Sequence, residues 1–272
     1  MDTALMSAAE NSGTGAGIRA GCALSSSGPP CIENTVPPCA GAAPDIAPEI
    51  AEHPMTDRLL AASKEIWDDY HRHPFVLGIA DGSLDPRKFE YYMLQDYVYL
   101  FDYARVFAIG AAKSKDPEVM GYNAAMLRQI MGSEMEIHRG YMKRLGISEE
   151  AAARTVPSLD NLSYTSYMIR VAYEEGPAET AAAILACALS YEVIAKKILE
   201  TFPDAGRHPF YGEWVEGYAS PEYHAANLDC IRLMEKLAED CTEEQKRHLE
   251  EIFVLCARYE TAFWDMAWEQ RK

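Results

Sequence analysis

From Asp57 to the end of the chain, apolar residues recur at intervals of three and four, and the segments carrying this rhythm are bounded by helix start and stop signals. Asp85-Pro86, Asp116-Pro117 and Ser220-Pro221 each place a capping oxygen before a proline. Proline is tolerated at the first helical position because the N–H it lacks would have no partner there. Thr242, followed three residues later by Gln245, has capping-box spacing, and Gly146 and Gly176 stand where helices should stop. No stretch shows sustained two-residue alternation with β-branched residues. The spacing predicts helices over roughly 57–73, 86–113, 117–145, 158–175, 178–201, 208–218, 221–239 and 242–269. The fold class is therefore all-α, a bundle of seven or eight helices without internal repeats.

The rhythm stops upstream of this region. Residues 1–54 contain no Phe, Tyr or Trp, and 29 of the 54 are Gly, Ala, Pro or Ser, so all 28 aromatic residues lie in 55–272. A segment without aromatic residues buries too little apolar surface to offset the entropy of ordering it. The expectation is a disordered extension over 1–54 and one globular domain over 55–272, with translation from Met55 as an alternative. The extension lacks the basic start and apolar run of a secretory signal and is poor in Arg. No run of 18 apolar residues occurs, so no membrane span is expected. The net charge is −17, of which −5 falls on residues 1–54. Such an acidic chain repels phosphate backbones and disfavours nucleic acid as a partner.

Seven cysteines, at positions 22, 31, 39, 187, 230, 241 and 256, include no Cys-x-x-Cys pair. Their odd number and the lack of a secretory signal read as reduced thiols in a cytoplasmic protein. The spacing of Cys22, Cys31 and Cys39 does not fit a zinc knuckle.

Four features stand out against this helical background. Asp96, Tyr99 and Tyr103 share an apolar face with Phe89, Tyr92, Met93, Leu100 and Phe107. A carboxylate there is either at the edge of the stripe or buried with a partner or ligand. Cys187 lies in a helix that is apolar nearly all round, hence central, with Tyr191 one turn on. Most buried cysteines are inert, so packing alone would account for it. Glu260 shares a face with Cys256, Phe263 and Ala267, where burial would raise its pKa toward the range of general acid–base catalysis. Tyr164, Tyr167 and Tyr218 flank the Cys187 segment and suit a pocket wall or an ordinary surface equally well. Glu134 and His138 are spaced like ligands on one helix, but a di-metal bundle site needs about six ligands, and the six histidines of 55–272, at 71, 73, 138, 208, 224 and 248, fall mostly near predicted helix ends or polar segments. A glycine-rich phosphate loop and a Gly-x-Ser-x-Gly motif are both absent.

Taken in order, Gln95-Asp96-Tyr97-Val98-Tyr99-Leu100, Tyr164-Thr165-Ser166-Tyr167-Met168, the Cys187 helix running into Tyr191-Glu192, Trp214-x-x-x-Tyr218 and Tyr259-Glu260-x-x-Phe263-Trp264 resemble the thiaminase II (TenA) family over essentially all of 55–272. The resemblance implies a heme-oxygenase-like bundle without haem, assembled as a homotetramer, needing no metal or organic cofactor. It implies hydrolysis of 4-amino-5-aminomethyl-2-methylpyrimidine to the 5-hydroxymethyl compound and ammonia in thiamin salvage, with cleavage of thiamin as a further activity. Carried over, Cys187 matches the thiolate that adds to the pyrimidine and Glu260 the acid at a ring nitrogen. Asp96 matches the carboxylate that holds the opposite ring nitrogen and the exocyclic amine. Tyr99, Tyr164 and Tyr218 match orienting hydroxyls, Tyr191 places a phenol beside the thiol, and Phe263 matches an aromatic packed near the substrate ring. The extension over 1–54 has no counterpart in the family, and Ala186 beside Cys187 bears on substrate preference. A non-catalytic aminopyrimidine-binding or regulatory protein, a metal- or quinone-dependent oxidase and a haem-binding protein are the competing readings of the same fold.

Overall fold

The computed structural model describes residues 53–271, so residues 1–52 of the expected extension lie outside the described residues, as do Cys22, Cys31 and Cys39. The described residues form α1 (Pro54–Tyr70), α2 (Pro74–Ala80), α3 (Pro86–Lys113) and α4 (Pro117–Gln129). These are followed by a π-turn (Ile130–Glu134), α5 (Met135–Arg144), α6 (Glu149–Ala153), α7 (Leu159–Glu174) and α8 (Pro177–Thr201). A 3₁₀ turn (Ala205–Arg207), α9 (Gly212–Tyr218), α10 (Pro221–Ala238) and α11 (Glu243–Glu269) complete the chain. Among the described residues there is no strand.

The local signals act as expected. Asp85 accepts from the Arg87 N–H, Asp116 from those of Glu118 and Val119, and Ser220 from that of Tyr223. Thr242 and Gln245 cap one another's backbone in a complete capping box. Gly146 has φ +73°, a left-handed conformation that glycine adopts without penalty. Its N–H bonds to the Lys143 carbonyl and that of Ile147 to Met142, which satisfies the last carbonyls of α5.

Three boundaries differ from expectation, and the short helix α6 falls in the gap between the predicted 117–145 and 158–175 helices. The predicted 57–73 helix begins at Pro54 and ends at Tyr70. His73 then caps a separate short helix, α2, that the sequence rhythm does not separate from its surroundings. The predicted 117–145 helix is interrupted by the π-turn. The predicted 208–218 helix starts only at Gly212, after His208 accepts the backbone N–H groups of Phe210 and Tyr211 in a turn.

α8 is the axis of the bundle, with α7, α10 and α11 packed along it and α9 across its C-terminal half. Every residue from Thr180 to Cys187 is buried. The run of alanines there lets the neighbouring helices approach closely, and Gly110 of α3 does the same for α4, since a Cβ at that position would lie 2.6 Å from Asn123 Oδ1. Near the C-terminal half of α8, Trp264 of α11 stacks on Tyr92 of α3 at 5.6 Å and also meets Phe75 and Tyr191. Rings of this size bury roughly 150–250 Å² each and dominate the stability of such a core. α3, α8 and α11 are thereby clamped around the region where Asp96, Cys187 and Glu260 converge.

Candidate active site

Cys187 sits where the alanine run of α8 meets a cavity of about 80 Å³. Asp96 and Tyr99 of α3, Tyr191 of α8 and Tyr218 of α9 share this wall with it. Tyr99 donates its phenol hydrogen to Cys187 Sγ at 3.3 Å. Behind the thiol, and outside the lining of the cavity, stand Glu260 and Phe263 of α11 and Tyr164 of α7. Tyr164 donates to Glu260 Oε1 at 2.8 Å, and the Phe263 ring meets Tyr99 edge-on at 5.6 Å. Tyr218 stacks against Tyr191 at 4.7 Å. The eight residues singled out in the sequence thus come together from five helices, as a lining layer of five and a supporting layer of three.

Burial sets the protonation states. Removal from water pushes the Cys187 thiol well above its ordinary range, and the neighbouring Glu260 adds to this, while the Tyr99 hydrogen bond opposes it. Burial also raises Glu260 to about 7, partly offset by its bonds with Tyr164 and Cys187. At neutral pH the pair therefore holds a neutral thiol beside a carboxyl poised to gain or lose its proton. A thiol and a carboxyl thus lie close enough to perturb one another, an arrangement able to support nucleophilic and acid–base chemistry.

Asp96 is buried at 6% exposure, which settles the alternative left open by its place on the apolar stripe. Its partner is His138 of α5, whose Nε2 lies 2.6 Å from Asp96 Oδ2 and whose Nδ1 faces the Glu134 carbonyl at 3.0 Å. Burial disfavours charge on His138, but the bond to Asp96 and the fields of Asp96 and Glu134 outweigh it and raise its pKa. The sequence pattern placed the histidines mostly near helix ends or polar segments. For His138 this is corrected, since it is 3% exposed inside α5, where one turn of helix gives no sign of which side faces α3.

Several cavity residues carried no distinguishing signal. Tyr122, Tyr223 and Asn227 line it with Cys187, beside Tyr103, which the rhythm of α3 had already turned inward. Tyr223 and Asn227 of α10 donate to the Ala188 carbonyl at 3.0 and 3.3 Å, fixing α10 beside the nucleophile candidate. Asn227 is in turn held by the buried Glu192, which also pairs with Lys196 and His224. Burial alone would raise Glu192, yet these three bonds outweigh it and lower its pKa. Nothing in the 221–239 segment by itself shows that its inward face meets a void.

Fold and site together define a helical bundle that buries a thiol and a carboxyl against an aromatic cavity. Residues 60–270 match the TENA/THI-4/PQQC family, and the chain belongs to that family. It is 42% identical over 213 residues to an aminopyrimidine aminohydrolase of Halalkalibacterium halodurans, covering 78% of this chain and 95% of that one. It is 40% identical over 215 residues to an aminopyrimidine aminohydrolase of Helicobacter pylori, covering 79% and 99%. Among solved structures, a TenA homologue from P. horikoshii OT3 superposes with a TM-score of 0.72 at 31% identity, covering 79% of this chain and 98% of the other. A domain with a heme oxygenase-like fold from Shewanella denitrificans superposes at 0.64 and 14% identity over 82% and 94%, a likeness of fold alone.

Proposed function

We propose that this protein is an aminopyrimidine aminohydrolase of thiamin salvage. It hydrolyses the C–N bond of 4-amino-5-aminomethyl-2-methylpyrimidine to give the 5-hydroxymethyl compound and ammonia, and also cleaves thiamin at the same carbon. The observation that carries this reading is the hydrogen bond of Tyr99 to Cys187, with Glu260 near enough to shift the thiol's pKa, at the wall of a cavity that Asp96 also lines. The catalytic domain is the unit over 55–272. The homotetramer and the cytoplasmic location implied by the family resemblance belong to the same proposal.

The chemistry follows from the protonation states. The Cys187 thiol is too weakly acidic to ionise alone, so its proton passes to Glu260 as sulfur adds to the electron-poor ring. Glu260 delivers that proton to a ring nitrogen, which accepts the electron pair displaced by the new C–S bond. Asp96, held by His138, binds the other edge of the ring through its nitrogen and exocyclic amine. With aromaticity lost, the ring electrons expel the amine from the exocyclic carbon, and nitrogen leaves with the C–N pair. The ring proton returns to Glu260, leaving an exocyclic C=C bond. Water adds to that carbon through oxygen, and the sulfur departs with the C–S pair as the ring regains aromaticity and takes up the water's proton. Glu260 gives its proton to the released ammonia or to solvent, which restores the starting thiol and carboxylate. Phe263 and Tyr164 keep Tyr99 and Glu260 in register behind the thiol.

The test is an anaerobic incubation with the aminomethylpyrimidine under metal-free conditions, following ammonia and the hydroxymethyl product together. Stoichiometric appearance of both, lost in Cys187→Ser, supports the proposal. Saturable binding without product supports a non-catalytic aminopyrimidine-binding protein instead.

A further inference from the structure

The π-turn places a third carboxylate where the proposed reaction has given it no role. Glu134 ends this turn, and its side chain lines the Cys187 cavity. It also lines a second, outer cavity of about 150 Å³ that is bounded by α9 and α5, and Asp96, Glu134, Tyr218 and Tyr223 are common to both. A π-turn inserts one residue into the helical rise and rotates the residues beyond it, and such insertions are frequent at functional positions. Here the carboxyl at the end of the insertion stands at the junction of the two cavities.

Its surroundings leave it uncompensated. His138 is engaged with Asp96, and among the described residues no side chain hydrogen-bonds the Glu134 carboxyl. Two carboxyl groups thus share one imidazole, and burial, with the field of Asp96, raises the pKa of Glu134, so that a bound cation would favour its ionised form. Glu213, the third acid of the outer cavity beside Asp96 and Glu134, is already paired with Arg144 at 2.6 Å, and that guanidinium lies over the Tyr141 ring. The remaining walls are largely aromatic, with Tyr92, Trp214, Tyr218 and Tyr223 turned to the space, and among the described residues no Lys or Arg lines it. An unpaired carboxylate in an aromatic enclosure is costly when empty and favours a cation of matching size.

We infer that Glu134 recognises the leaving group: it holds the positively charged nitrogen borne on the exocyclic carbon of the pyrimidine, and the outer cavity receives that group as it departs. This rests on the aminopyrimidine reading above and extends it to the charge of the leaving group. When the C–N bond breaks, nitrogen takes the bonding pair. An ammonium therefore leaves as neutral ammonia and a quaternary heteroaromatic nitrogen as a neutral heterocycle, with no further proton required. In either case the positive charge that bound it to Glu134 is gone at the moment of cleavage, so release through the outer cavity is favoured over recombination.

The experiment measures binding in the full chain carrying Cys187→Ser, so that turnover does not intervene. Dissociation constants for the 5-aminomethyl and 5-hydroxymethyl pyrimidines, which differ chiefly in the charge of one group, are compared by calorimetry with and without Glu134→Gln. Thiamin is titrated in parallel as the heteroaromatic cation. The expected result is a preference of at least ten-fold for the aminomethyl ligand that collapses toward unity in Glu134→Gln, with the hydroxymethyl ligand affected less than three-fold. Collapse for the aminomethyl ligand alone assigns the subsite to ammonium, and selective weakening of thiamin alone assigns it to the heteroaromatic cation. An unchanged ratio, or equal weakening of the charged and neutral ligands, overturns the inference while leaving the aminopyrimidine reading intact. Failure of Cys187→Ser to bind any of the three, with the unsubstituted chain equally inert, overturns both.

Discussion

The Tyr164 hydroxyl and the Glu260 carboxyl meet at 2.8 Å, both essentially without solvent exposure, and this bond ties α7 to α11 directly behind Cys187. It is the larger of the two hydrogen bonds, the other being that of Cys187, that hold down the pKa of an acid which burial drives up, so the protonation range of Glu260 depends on a residue that does not line the cavity.

Tyr164→Phe should therefore raise Glu260 further above 7 and move the acid limb of the pH–rate profile to higher pH. It also leaves a buried acceptor without its donor, for a stability loss of about 1–3 kcal/mol. Measured kcat/KM against pH for the variant and the native chain decides it, and an unmoved limb would mean that the hydrogen bond does not tune Glu260.

In the native chain kcat/KM should rise with pH and level off above about 7, because Glu260 must be ionised to take the thiol proton. Below that point the loss should approach ten-fold per pH unit, as expected for a single required deprotonation. The rise should be absent from the residual activity of Glu260→Gln. A variant that keeps the same limb would assign the titration to the substrate.

The same group makes a stability prediction of definite sign. Its folded pKa, about 7, lies above the ordinary 4.5, so the fold prefers it protonated and loses stability as pH rises from 4.5 to 7. Glu260→Gln has no such loss. Denaturant melts at pH 5 and pH 8 should show the variant gaining on the native chain by up to about 3 kcal/mol at the higher pH. A difference that does not change with pH would place the true pKa near its ordinary value.

Cys187→Ser should reduce turnover by at least about 10³-fold, since a serine hydroxyl at the same place is a far poorer nucleophile at this pH. The helical circular dichroism and unfolding midpoint should change little, because the replacement is nearly isosteric. Retained turnover would shift attention to Cys256, which is fully buried one turn before Glu260 but does not line the cavity.

Much of this architecture is legible in the chain because helices are local objects. The oxygen–proline starts at Asp85, Asp116 and Ser220, the capping box at Thr242 and the left-handed stop at Gly146 each act over a few residues. The three-and-four rhythm of α3 also states correctly that Asp96, Tyr99 and Tyr103 turn inward. The chain likewise marks Cys187 as central, since an axis apolar on every side has nowhere else to lie. What it does not contain is distance. His138 becomes the partner of Asp96 only because α5 crosses α3 at that height, 42 residues away. The π-turn that brings Glu134 to the junction of two cavities has no start or stop signal of its own in the 117–145 segment, whose periodicity reads as one continuous helix. Likewise, whether Glu260 sits at an ordinary acid's pKa or near 7 depends on how completely α7, α8 and α11 exclude water from it. Periodicity determines which face of each helix is buried; only the assembled bundle decides what that face meets, because burial, hydrogen-bond partners and empty space are properties of several helices at once.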